Sequence, residues 1–463
     1  MIKTIILAAG EGTRMKSQKS KVLHKLLNRE MIRYVVDSSK LEDSQTIIIA
    51  GKNKESLEEI FKDEIIIEQK IGQAYPYGTG YAASLAINEI ADDDTVLVLN
   101  GDIPLITKAS IKEFVNNHIS SNSNASVLST RVLNPVGYGR IIRDDKGEFI
   151  GIVEHKDLEL SQSAIDEINT GIYAFSGKSF KDSVTNLKSD NNQNELYLTD
   201  CIEILYNGGQ KVMAFTANDP DEFYGINNKK ELAEASKILQ KRINDNHMIN
   251  GVIIENPDMA FIDPEVKIGQ DTVISGPVKL LGQTIIGENC VIEGSSRIEE
   301  STIADNVKID NSVIELSTVG EGVDIGPYSH LRPKANLGKN VHIGNFVEVK
   351  NSNVGEGTKA GHLAYIGDCD LGSGINIGCG VIFVNYDGKF KHRSTVGDDA
   401  FIGSNANIVA PVNIKNDAYI AAGSTITNDV DEGMLSIERA EQKNVAGYTY
   451  KKRQRDLEKQ KER

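Results

Sequence analysis

The chain has few cysteines, and they are widely spaced. Its 463 residues include four, Cys201, Cys290, Cys369 and Cys379, and no two of them form a CxxC pair. This usage excludes a disulfide framework as the basis of the fold. We therefore expect reduced thiols in a cytoplasmic protein.

Long apolar runs are also missing, and so is an excess of basic residues. No stretch approaches the length of a transmembrane helix. The first apolar run, in MIKTIILAAGEGTRM, has no small-residue cleavage site and ends in a glycine-rich turn, which favours a core strand over a signal peptide. The net charge of −15 and the pI near 5.1 argue against a nucleic-acid-binding protein. We expect neither a membrane nor a nucleic acid as a partner.

A six-residue repeat occupies the segment from about Val266 to Val430. Each copy begins with an aliphatic residue, often followed by glycine, with a small or β-branched residue four places after the aliphatic one. Examples are IGQDTV from Ile268 and IGENCV from Ile286. This is the hexapeptide signature of a parallel β-helix, in which the aliphatic residue points inward and glycine tolerates the backbone angles of a corner. The repeat lapses near residues 383–394, which predicts an external loop.

Residues 1 to about 226 alternate short apolar runs with polar, helix-compatible stretches. The apolar runs are Thr4–Leu7, Thr46–Ile49, Glu64–Ile67 and Thr95–Leu99. This alternation predicts a doubly wound, Rossmann-like α/β domain built on a buried parallel sheet. A helix is expected next, from Asn228 to about Asn246, and a solvated, frayed end from Lys451 to Arg463.

The loop after the first apolar run carries residues suited to a phosphate chain. In LAAGEGTRM, which begins at Leu7, Gly10 and Gly12 allow the backbone to approach phosphate closely, and Arg14 adds a planar, permanent cation. Lys21 follows shortly after Arg14. Asp102 ends an apolar strand, at the sheet edge where open α/β domains bind ligands. A glycine-rich turn alone is common in α/β domains, so the prediction of a phosphate-binding loop depends on all of these residues together.

The string LAAGEGTRM with its following lysine resembles the sugar-1-phosphate nucleotidyltransferases. From residue 1 to about 450 the chain resembles the bacterial bifunctional N-acetylglucosamine-1-phosphate uridyltransferase/glucosamine-1-phosphate N-acetyltransferases. The resemblance implies acetylation of glucosamine 1-phosphate by acetyl-CoA, and then uridylyl transfer from UTP to N-acetylglucosamine 1-phosphate with release of pyrophosphate. It also implies a uridyltransferase domain over residues 1–227, a linker helix over 228–248, a left-handed β-helix over 249–437 and a segment over 438–463 that contacts acetyl-CoA.

For uridylyl transfer the resemblance implies one site in the first domain. Arg14 and Lys21 would neutralise charge at phosphorus, and Asp102 and Asn227 would hold Mg²⁺ through oxygen atoms. The nucleotide and the sugar would contact Leu7, Ala8, Ala9, Gly10, Lys21, Gln73, Gly78, Thr79, Gly139, Glu154, Asn169 and Asn227. Two departures from the family occur: Ser20 stands where proline is usual, and Tyr75-Pro76-Tyr77 replaces the usual Glu-Gln-Leu.

For acetyl transfer the resemblance implies a site on the β-helix. His362 would remove a proton from the acceptor amine, since an imidazole titrates near neutral pH. The sugar phosphate would contact Arg332, Lys350, Tyr365 and Asn376. Acetyl-CoA would contact Asn385, Tyr386, Ser404, Ala422, Arg439 and the region of Cys379, which we expect to be a packed thiol. Lys391 would be a further acetyl-CoA contact, supplied by a neighbouring subunit of a homotrimer.

A zinc site is one alternative reading of the β-helix. His330, His342 and His362 suggest it, because the γ-class carbonic anhydrases use a hexapeptide β-helix. Whole hexads separate the first pair of these histidines but not the second pair.

Two further alternatives concern the whole chain. It could be a single-activity sugar-nucleotide pyrophosphorylase whose β-helix is regulatory or structural, and His362, Lys350 and Asn385-Tyr386 argue against this. It could also be a non-catalytic assembly protein, like translation-factor subunits with the same two modules. The intact set of Arg14, Lys21, Asp102 and Asn227 argues against that hypothesis.

Overall fold

The computed structural model describes residues 1–70, 72, 75–189 and 195–461. The chain divides into two compact units, Met1–Arg242 and Ile243–Arg463. Among the described residues, no helix is both long enough and apolar enough to span a membrane.

The first unit is built on one large sheet flanked by helices. Its described strands are β1 (Ile2–Ala8), β2 (Lys25–Leu26), β3 (Arg29–Glu30), β4 (Ser44–Ala50), β5 (Ile65–Glu68), β6 (Thr95–Asn100), β7 (Ala125–Arg131), β8 (Arg140–Arg143), β9 (Phe149–Val153), β10 (Glu167–Ser176) and β11 (Val212–Ala217). The α-helices are α1 (Met31–Ser39), α2 (Lys54–Ile60), α3 (Thr79–Ser84), α4 (Lys108–Ser120), α5 (Gly177–Thr185), α6 (Leu198–Asn207) and α7 (Lys229–Ile249), of which α7 continues into the second unit. Short 3-10 turns are found at Thr13–Met15, Lys21–Leu23, Ile87–Glu89, His155–Asp157, Leu160–Gln162 and Pro220–Phe223.

The strand order of the large sheet brings the ends of β1 and β6 side by side. The order is β11-β7-β10-β6-β1-β4-β5, and Leu7 lies opposite Asn100 at the carboxyl ends of two parallel strands. β10 runs antiparallel to β6 and β7, so the sheet is mixed, whereas the strands predicted from apolar runs, β1, β4, β5 and β6, are parallel to one another. Between β7 and β10 the chain forms only the hairpin β8–β9 and short turns. A strand that returns without a long crossover pairs antiparallel.

Both faces of the sheet are buried. Alternate residues of a strand point to opposite faces, so Ile5 and Val98 join one core cluster while Ile6 and Leu97 join the other. Residues of α3, α5 and α6 complete the first cluster, and residues of α1, α2 and α4 complete the second. Central strands buried on both sides need almost continuous apolar sequence. This explains why the apolar runs of the sequence coincide with β1, β4, β5 and β6.

A buried glutamate fastens the hairpin β8–β9 to the sheet. Glu167 is 2% exposed and accepts hydrogen bonds from Arg143 Nη2 at 2.7 Å, Arg143 Nε at 2.9 Å and Ser129 Oγ at 2.6 Å. Burial alone would raise the pKa of Glu167, but the hydrogen bonds and the charge of Arg143 outweigh it, so this pKa is lowered. The folded protein therefore stabilises the carboxylate form.

We expect Glu167→Gln to lower the free energy of unfolding by about 1–3 kcal/mol, because half-buried Arg143 loses its counter-charge. The folded-state pKa lies below that of the unfolded chain. The contribution is therefore present above the ordinary glutamate pKa and is lost as pH falls through the folded-state pKa. Urea unfolding of parent and variant at neutral and acidic pH measures the difference, which should shrink in acid. A difference that does not change with pH would contradict the role of the charge.

The second unit consists of three stacks of parallel strands, which hold 11, 10 and 9 strands among the described residues. The first stack contains Ile253–Ile254, Val273–Ser275, Val291–Glu293, Lys308–Asp310, Asp324–Ile325, His342–Asn345, Lys359–His362, Asn376–Ile377, Phe401–Ile402, Tyr419–Ile420 and Leu435–Ser436. The second contains Ala260–Ile262, Val278–Leu281, Arg297–Glu299, Val313–Glu315, His330–Leu331, Glu348–Lys350, Tyr365–Gly367, Ile382–Val384, Asn407–Val409 and Thr425–Ile426. The third contains Lys267–Ile268, Ile285–Ile286, Thr302–Ile303, Thr318–Val319, Asn336–Leu337, Asn353–Val354, Cys369–Leu371, Ser394–Val396 and Asn413–Ile414.

The coils stack in register over one aliphatic core. Ile274 pairs with Ile292 and Ile292 pairs with Ile309, so each of these coils is close to three hexads long. The inward residues of all three stacks belong to one buried cluster. A single coil could not bury its apolar residues, so the array is stable only as a stack. Parallel stacks of hexapeptide repeats are consistent with the predicted left-handed β-helix.

The glycines of the repeat have two roles, of which only one was predicted. Gly322 has the left-handed backbone expected at a corner (φ 70°). Gly269 and Gly287 do not have the left-handed backbone angles of a corner. A Cβ added to Gly269 would lie 2.6 Å from the carbonyl carbon of Gly287 in the next coil, so these glycines permit close approach between coils. The left-handed conformation comes two places later in the hexad, at Asp271 (φ 59°) and Asn289 (φ 55°). Aspartate and asparagine tolerate it better than other residues with a side chain.

Two segments of the second unit depart from the regular coils. Ile377 pairs with Ile402, which is a longer step than in the regular coils, because residues 385–393 form a loop between two strands. The segment predicted to be a frayed end instead forms α8 (Tyr448–Lys461), in which every described side chain is exposed. Lysine, arginine, glutamate and glutamine are strong helix formers, so the segment is helical without an apolar face.

Candidate active sites

Four polar side chains meet where β1 and β6 end. Lys21 Nζ lies 2.5 Å from Asp102 Oδ2 and donates to Asn227 Oδ1 at 2.8 Å. Arg14 Nη2 donates to the same Asn227 oxygen at 2.8 Å. All four side chains line one cleft of about 330 Å³. Two cations and two oxygen-bearing groups in so small a space suit a phosphate chain and its counter-ion.

The local backbone explains this convergence. Gly12 has φ +60°, and a Cβ there would lie 2.6 Å from Lys21 Cβ, so the loop can fold against the lysine only with glycine at this place. Asn227 is positioned by the residue before it, since Ile226 N donates to Asp102 O at 3.0 Å. The loop before α7 is thereby attached to the end of β6.

The oxygen atoms of the cleft fit a divalent cation. Asp102 Oδ2 and Asn227 Oδ1 both lie within 2.8 Å of one nitrogen, the ammonium of Lys21. One small cation could therefore contact both oxygens. A carboxylate and an amide oxygen, completed by phosphate oxygens and water, form a ligand set that Mg²⁺ prefers.

The cleft also collects most residues predicted to contact the nucleotide. Gln73 lies outside the described residues. Besides Lys21 and Asn227, the predicted nucleotide contacts that line the cleft are Leu7, Ala8, Ala9, Gly10, Gly78 and Thr79. Gly78 has φ +118°, and a Cβ there would lie 2.3 Å from Leu196 O, so this turn also requires glycine. Tyr77, from the segment that departs from the family, lines the cleft too.

A second cavity, of about 790 Å³, opens from the same strand ends. It shares Leu7, Thr79, Asn100 and Asp102 with the first cleft, and Gly139, Glu154 and Asn169 line the rest of it. Asn169 is fixed by two hydrogen bonds, because its Oδ1 accepts from Gly171 N at 3.0 Å and its Nδ2 donates to the Tyr173 hydroxyl at 2.8 Å. Burial and the neighbouring Asp157 raise the pKa of Glu154. Two cavities that share Asp102 suit two substrates that react with each other.

In the second unit, His362 and Asn345 form a pair across adjacent coils. They lie opposite each other in the first stack, and Nδ1 of His362 is 2.6 Å from Oδ1 of Asn345. Because an amide oxygen can only accept, Nδ1 carries the hydrogen and Nε2 keeps its lone pair. His362 is exposed, so its ring faces solvent. Asn376 lies in the next strand but opposite Lys359, at the far end of the strand Lys359–His362.

Three cations lie close together at the second stack. They are Arg332 and Lys350, on neighbouring coils, and Lys391, from the loop of residues 385–393. The neighbouring Lys391, partial burial and Arg332 all lower the pKa of Lys350. The Tyr365 hydroxyl belongs to the same group and accepts a hydrogen bond from Asn385 Nδ2 at 3.4 Å. Like charges repel, so a cluster of this kind is stabilised by an anion such as a sugar phosphate.

The inserted loop folds back on itself. His392 Nε2 lies 2.7 Å from Asp387 Oδ2, and His392 N donates to Asn385 O at 2.8 Å. A β-bridge joins Tyr386 to Lys391. This fold leaves Lys391 beside Lys350 of its own chain, whereas the resemblance implies a lysine from a neighbouring subunit.

Residues predicted to contact acetyl-CoA follow one edge of the strand stacks. On successive coils, Asn405 N donates to Cys379 O at 2.8 Å and Gly423 N donates to Ser404 O at 2.8 Å. Arg439 Nη1 donates to Ala422 O at 2.9 Å and so continues this edge.

Cys379 corrects one prediction, since it is exposed and not packed. It takes the third place of its hexad, where Gln270 and Glu288 stand in other coils. That place points outward, and both of those side chains are exposed. The thiol is therefore accessible from the edge that Ser404 shares.

The three histidines proposed for zinc have separate partners. His330 Nε2 lies 3.2 Å from Glu315 Oε2, and His342 Nδ1 lies 2.9 Å from Asp324 Oδ2, while His362 pairs with Asn345. Within the described residues, no three or more His, Cys, Asp or Glu side chains form a group that could hold a metal ion. The zinc alternative therefore has no geometric support.

Comparison with known proteins covers both units. A nucleotidyl transferase family model matches residues 3–242, and a bacterial transferase hexapeptide (six repeats) model matches residues 393–428. The bifunctional protein GlmU of Clostridioides difficile (strain 630) is 48% identical over 455 residues, which are 98% of this chain and 98% of that protein. GlmU of Alkaliphilus oremlandii (strain OhILAs) is 47% identical over 97% of this chain and 98% of its own length. GlmU of Listeria welshimeri is 46% identical over 96% of this chain and 97% of its own length.

The chain belongs to the bifunctional GlmU family. It is thus an enzyme with a nucleotidyltransferase and an acetyltransferase activity, which together make UDP-N-acetylglucosamine in two steps. The single-activity and non-catalytic alternatives are wrong.

Sequence reasoning missed two groups that the fold brings to the sites. Asn345 pairs with His362, and Glu348 Oε1 accepts from Arg332 Nη1 at 2.8 Å. Glu348 also lies opposite Tyr365 in the second stack. Asn345 and Glu348 each stand one coil before a predicted site residue, His362 and Tyr365 respectively. A count of one coil backwards from each predicted site residue would have found them.

Proposed function

We propose that the cleft at the ends of β1 and β6 carries out the uridylyl transfer. An oxygen of the N-acetylglucosamine 1-phosphate group attacks the α-phosphorus of UTP, a new P–O bond forms, and the bond to the β-phosphate breaks as pyrophosphate leaves. Arg14 and Lys21 neutralise the negative charge at phosphorus and bring together two anions that repel each other. The convergence of these cations on Asp102 and Asn227 is the observation that supports this most directly.

The sugar is proposed to occupy the larger cavity next to the cleft. Gly139, Glu154 and Asn169 line that cavity and offer hydrogen-bond groups to sugar hydroxyls. Asp102 and Asn227 would hold Mg²⁺, which supplies positive charge at the transferred phosphoryl group when bound. The residues of the cleft and of the larger cavity together hold the phosphate chain of UTP in line with the sugar phosphate.

The acetyl transfer is proposed to take place at His362. Its Nε2 takes a proton from the amine of glucosamine 1-phosphate, the amine nitrogen attacks the thioester carbonyl of acetyl-CoA, and the C–S bond breaks as the CoA thiol leaves. Asn345 holds the ring in the required tautomer. Arg332, Lys350, Lys391 and Tyr365 bind the sugar phosphate, with Asn376 and Asn385 near the sugar. Tyr386, Ser404, Ala422 and Arg439 line the acetyl-CoA side.

One coupled assay tests this assignment. Glucosamine 1-phosphate, acetyl-CoA, UTP and Mg²⁺ are supplied together, and free thiol and pyrophosphate are followed separately. Chelation by EDTA should stop pyrophosphate release and leave thiol release unchanged. Loss of both signals on chelation would contradict a metal confined to the uridylyl site.

We further propose a homotrimer that works in the cytoplasm and supplies cell-wall and lipopolysaccharide precursors. Next to His362, an apolar ladder of Tyr328, Phe346 and Leu363 is 56–60% exposed in the single chain. The rings of Tyr328 and Phe346 stack at 5.7 Å. Contiguous apolar surface on hexapeptide coils favours burial against another copy of the chain.

Mixing two variants tests which chain supplies Lys391. Because Lys391 lies beside Lys350 of its own chain, we expect mixed trimers of His362→Ala and Lys391→Ala chains to stay inactive in acetyl transfer. Every site in such a trimer then lacks one of the two groups. Recovery of thiol release after co-refolding would show that a neighbour supplies the lysine, and light scattering would verify the trimer.

A further inference from the structure

A buried asparagine connects the phosphate-binding loop to the segment that carries Lys21. Asn53 is 9% exposed and follows β4. Its Nδ2 donates to Ala8 O at 3.1 Å and to Ser20 Oγ at 3.0 Å, and its Oδ1 accepts from Gly51 N at 2.8 Å. One side-chain amide therefore holds the ends of β1 and β4 and the residue before the lysine.

Asn53 gives up a helix cap to make these contacts. It stands at the N-cap of α2, where asparagine is among the most favourable residues, yet its side chain makes no capping hydrogen bond. The amide points toward the phosphate-binding loop instead. The side chain of Asn53 therefore stabilises the contacts with Ala8 and Ser20 and not the start of the helix.

Ser20 is the residue through which this contact reaches the lysine. Its backbone has φ −54° and ψ 141°, which a proline could also adopt, and the short turn Lys21–Leu23 begins directly after it. A proline at this place would fix φ through its ring. In this chain a hydrogen bond to Asn53 replaces the ring. The Lys21 ammonium, on the next residue, contacts Asp102 and Asn227.

We propose that Ser20 and Asn53 are positioning residues that hold Lys21 over the phosphate chain. The inference rests on the proposed role of Lys21 in uridylyl transfer. Because a serine in an open loop can rotate about its backbone bonds, loss of the Asn53 contact lets the lysine leave the cleft. A proline at position 20 restores the restriction without the hydroxyl.

The test compares Ser20→Ala, Ser20→Pro and Asn53→Ala with the parent enzyme. We expect Ser20→Ala to lower kcat/KM for UTP about 3- to 10-fold, as for one lost hydrogen bond. Asn53→Ala should lower it at least as much. Ser20→Pro should return it to within twofold of the parent. Thiol release from acetyl-CoA, measured in the same preparations, should stay unchanged, and thermal unfolding verifies that the first unit of each variant is folded.

Ser56→Ala is the matched control, because Ser56 is exposed and lines a surface cavity together with Ser20 and Asn53. It should behave as the parent enzyme. The inference is overturned if Ser20→Ala equals the parent, or if Ser20→Pro is as slow as Ser20→Ala. Lys21→Ala separates this failure from failure of the proposed function. Normal pyrophosphate release in Lys21→Ala would refute the role of the lysine itself, whatever the Ser20 variants show.

Discussion

Replacing Asp102 with alanine should stop pyrophosphate release in a folded enzyme and leave CoA release almost unchanged. The carboxylate is one of the two oxygen groups proposed to hold the metal, and it is the counter-charge of Lys21 at 2.5 Å. Its loss removes a proposed metal ligand and releases the lysine at once. We expect a fall of about 10²–10³-fold in the uridylyl step, the size seen when a preorganised electrostatic contact is lost.

The control for this experiment lies beside the same strand. Asp93 is exposed and precedes β6, whereas Asp102 follows it, so Asp93→Ala changes the same charge at the opposite end. That variant should retain both activities. Thermal unfolding of the two variants verifies that each is folded. If CoA release falls as far as pyrophosphate release in folded Asp102→Ala, the two sites are not independent.

The sequence predicts which residues come together at the proposed uridylyl cleft, because most of them follow strand ends. Buried parallel strands can be recognised in the sequence as apolar runs. The residues after β1 and β6 then meet at one sheet edge. Asn227 comes from far along the chain, and only the motif resemblance assigned it. The contacts of Asn53 were not predicted. They depend on the path of a loop between β4 and α2, which no periodic pattern describes.

On the β-helix the repeat predicts the coils but not the neighbours of each side chain. The hexads locate the inward residues, since one place in each hexad is always aliphatic. The role of glycine was predicted only in part, because a sequence does not distinguish a left-handed backbone from close packing between coils. At Gly269 the structure shows close packing, and Asp271 takes the left-handed angles. The exposure of Cys379 also follows from the hexad, because the third place of a hexad points outward.

His362 is the group whose loss should most reduce acetyl transfer. The acceptor amine is mostly protonated at neutral pH, and it becomes a nucleophile only when a base removes its proton. Asn345 fixes Nδ1 of His362 as a donor, so Nε2 is the free base. Arg332 and Lys350 are proposed to bind the phosphate as cations, and a cation cannot accept this proton. The two other histidines of the zinc alternative, His330 and His342, face carboxylates instead.

We therefore expect His362→Ala to slow CoA release by about 10²–10⁴-fold, while pyrophosphate release from UTP and N-acetylglucosamine 1-phosphate is unchanged. His342→Ala is the matched control, because His342 begins the neighbouring strand of the same stack and is paired with Asp324 at 2.9 Å. It should retain both activities. Asn345→Ala should fall between the two, since the ring keeps its basic nitrogen and loses only its orientation. Normal acetylation by a folded His362→Ala enzyme would show that this residue has only a structural role, and the proposed site would then lack a proton acceptor.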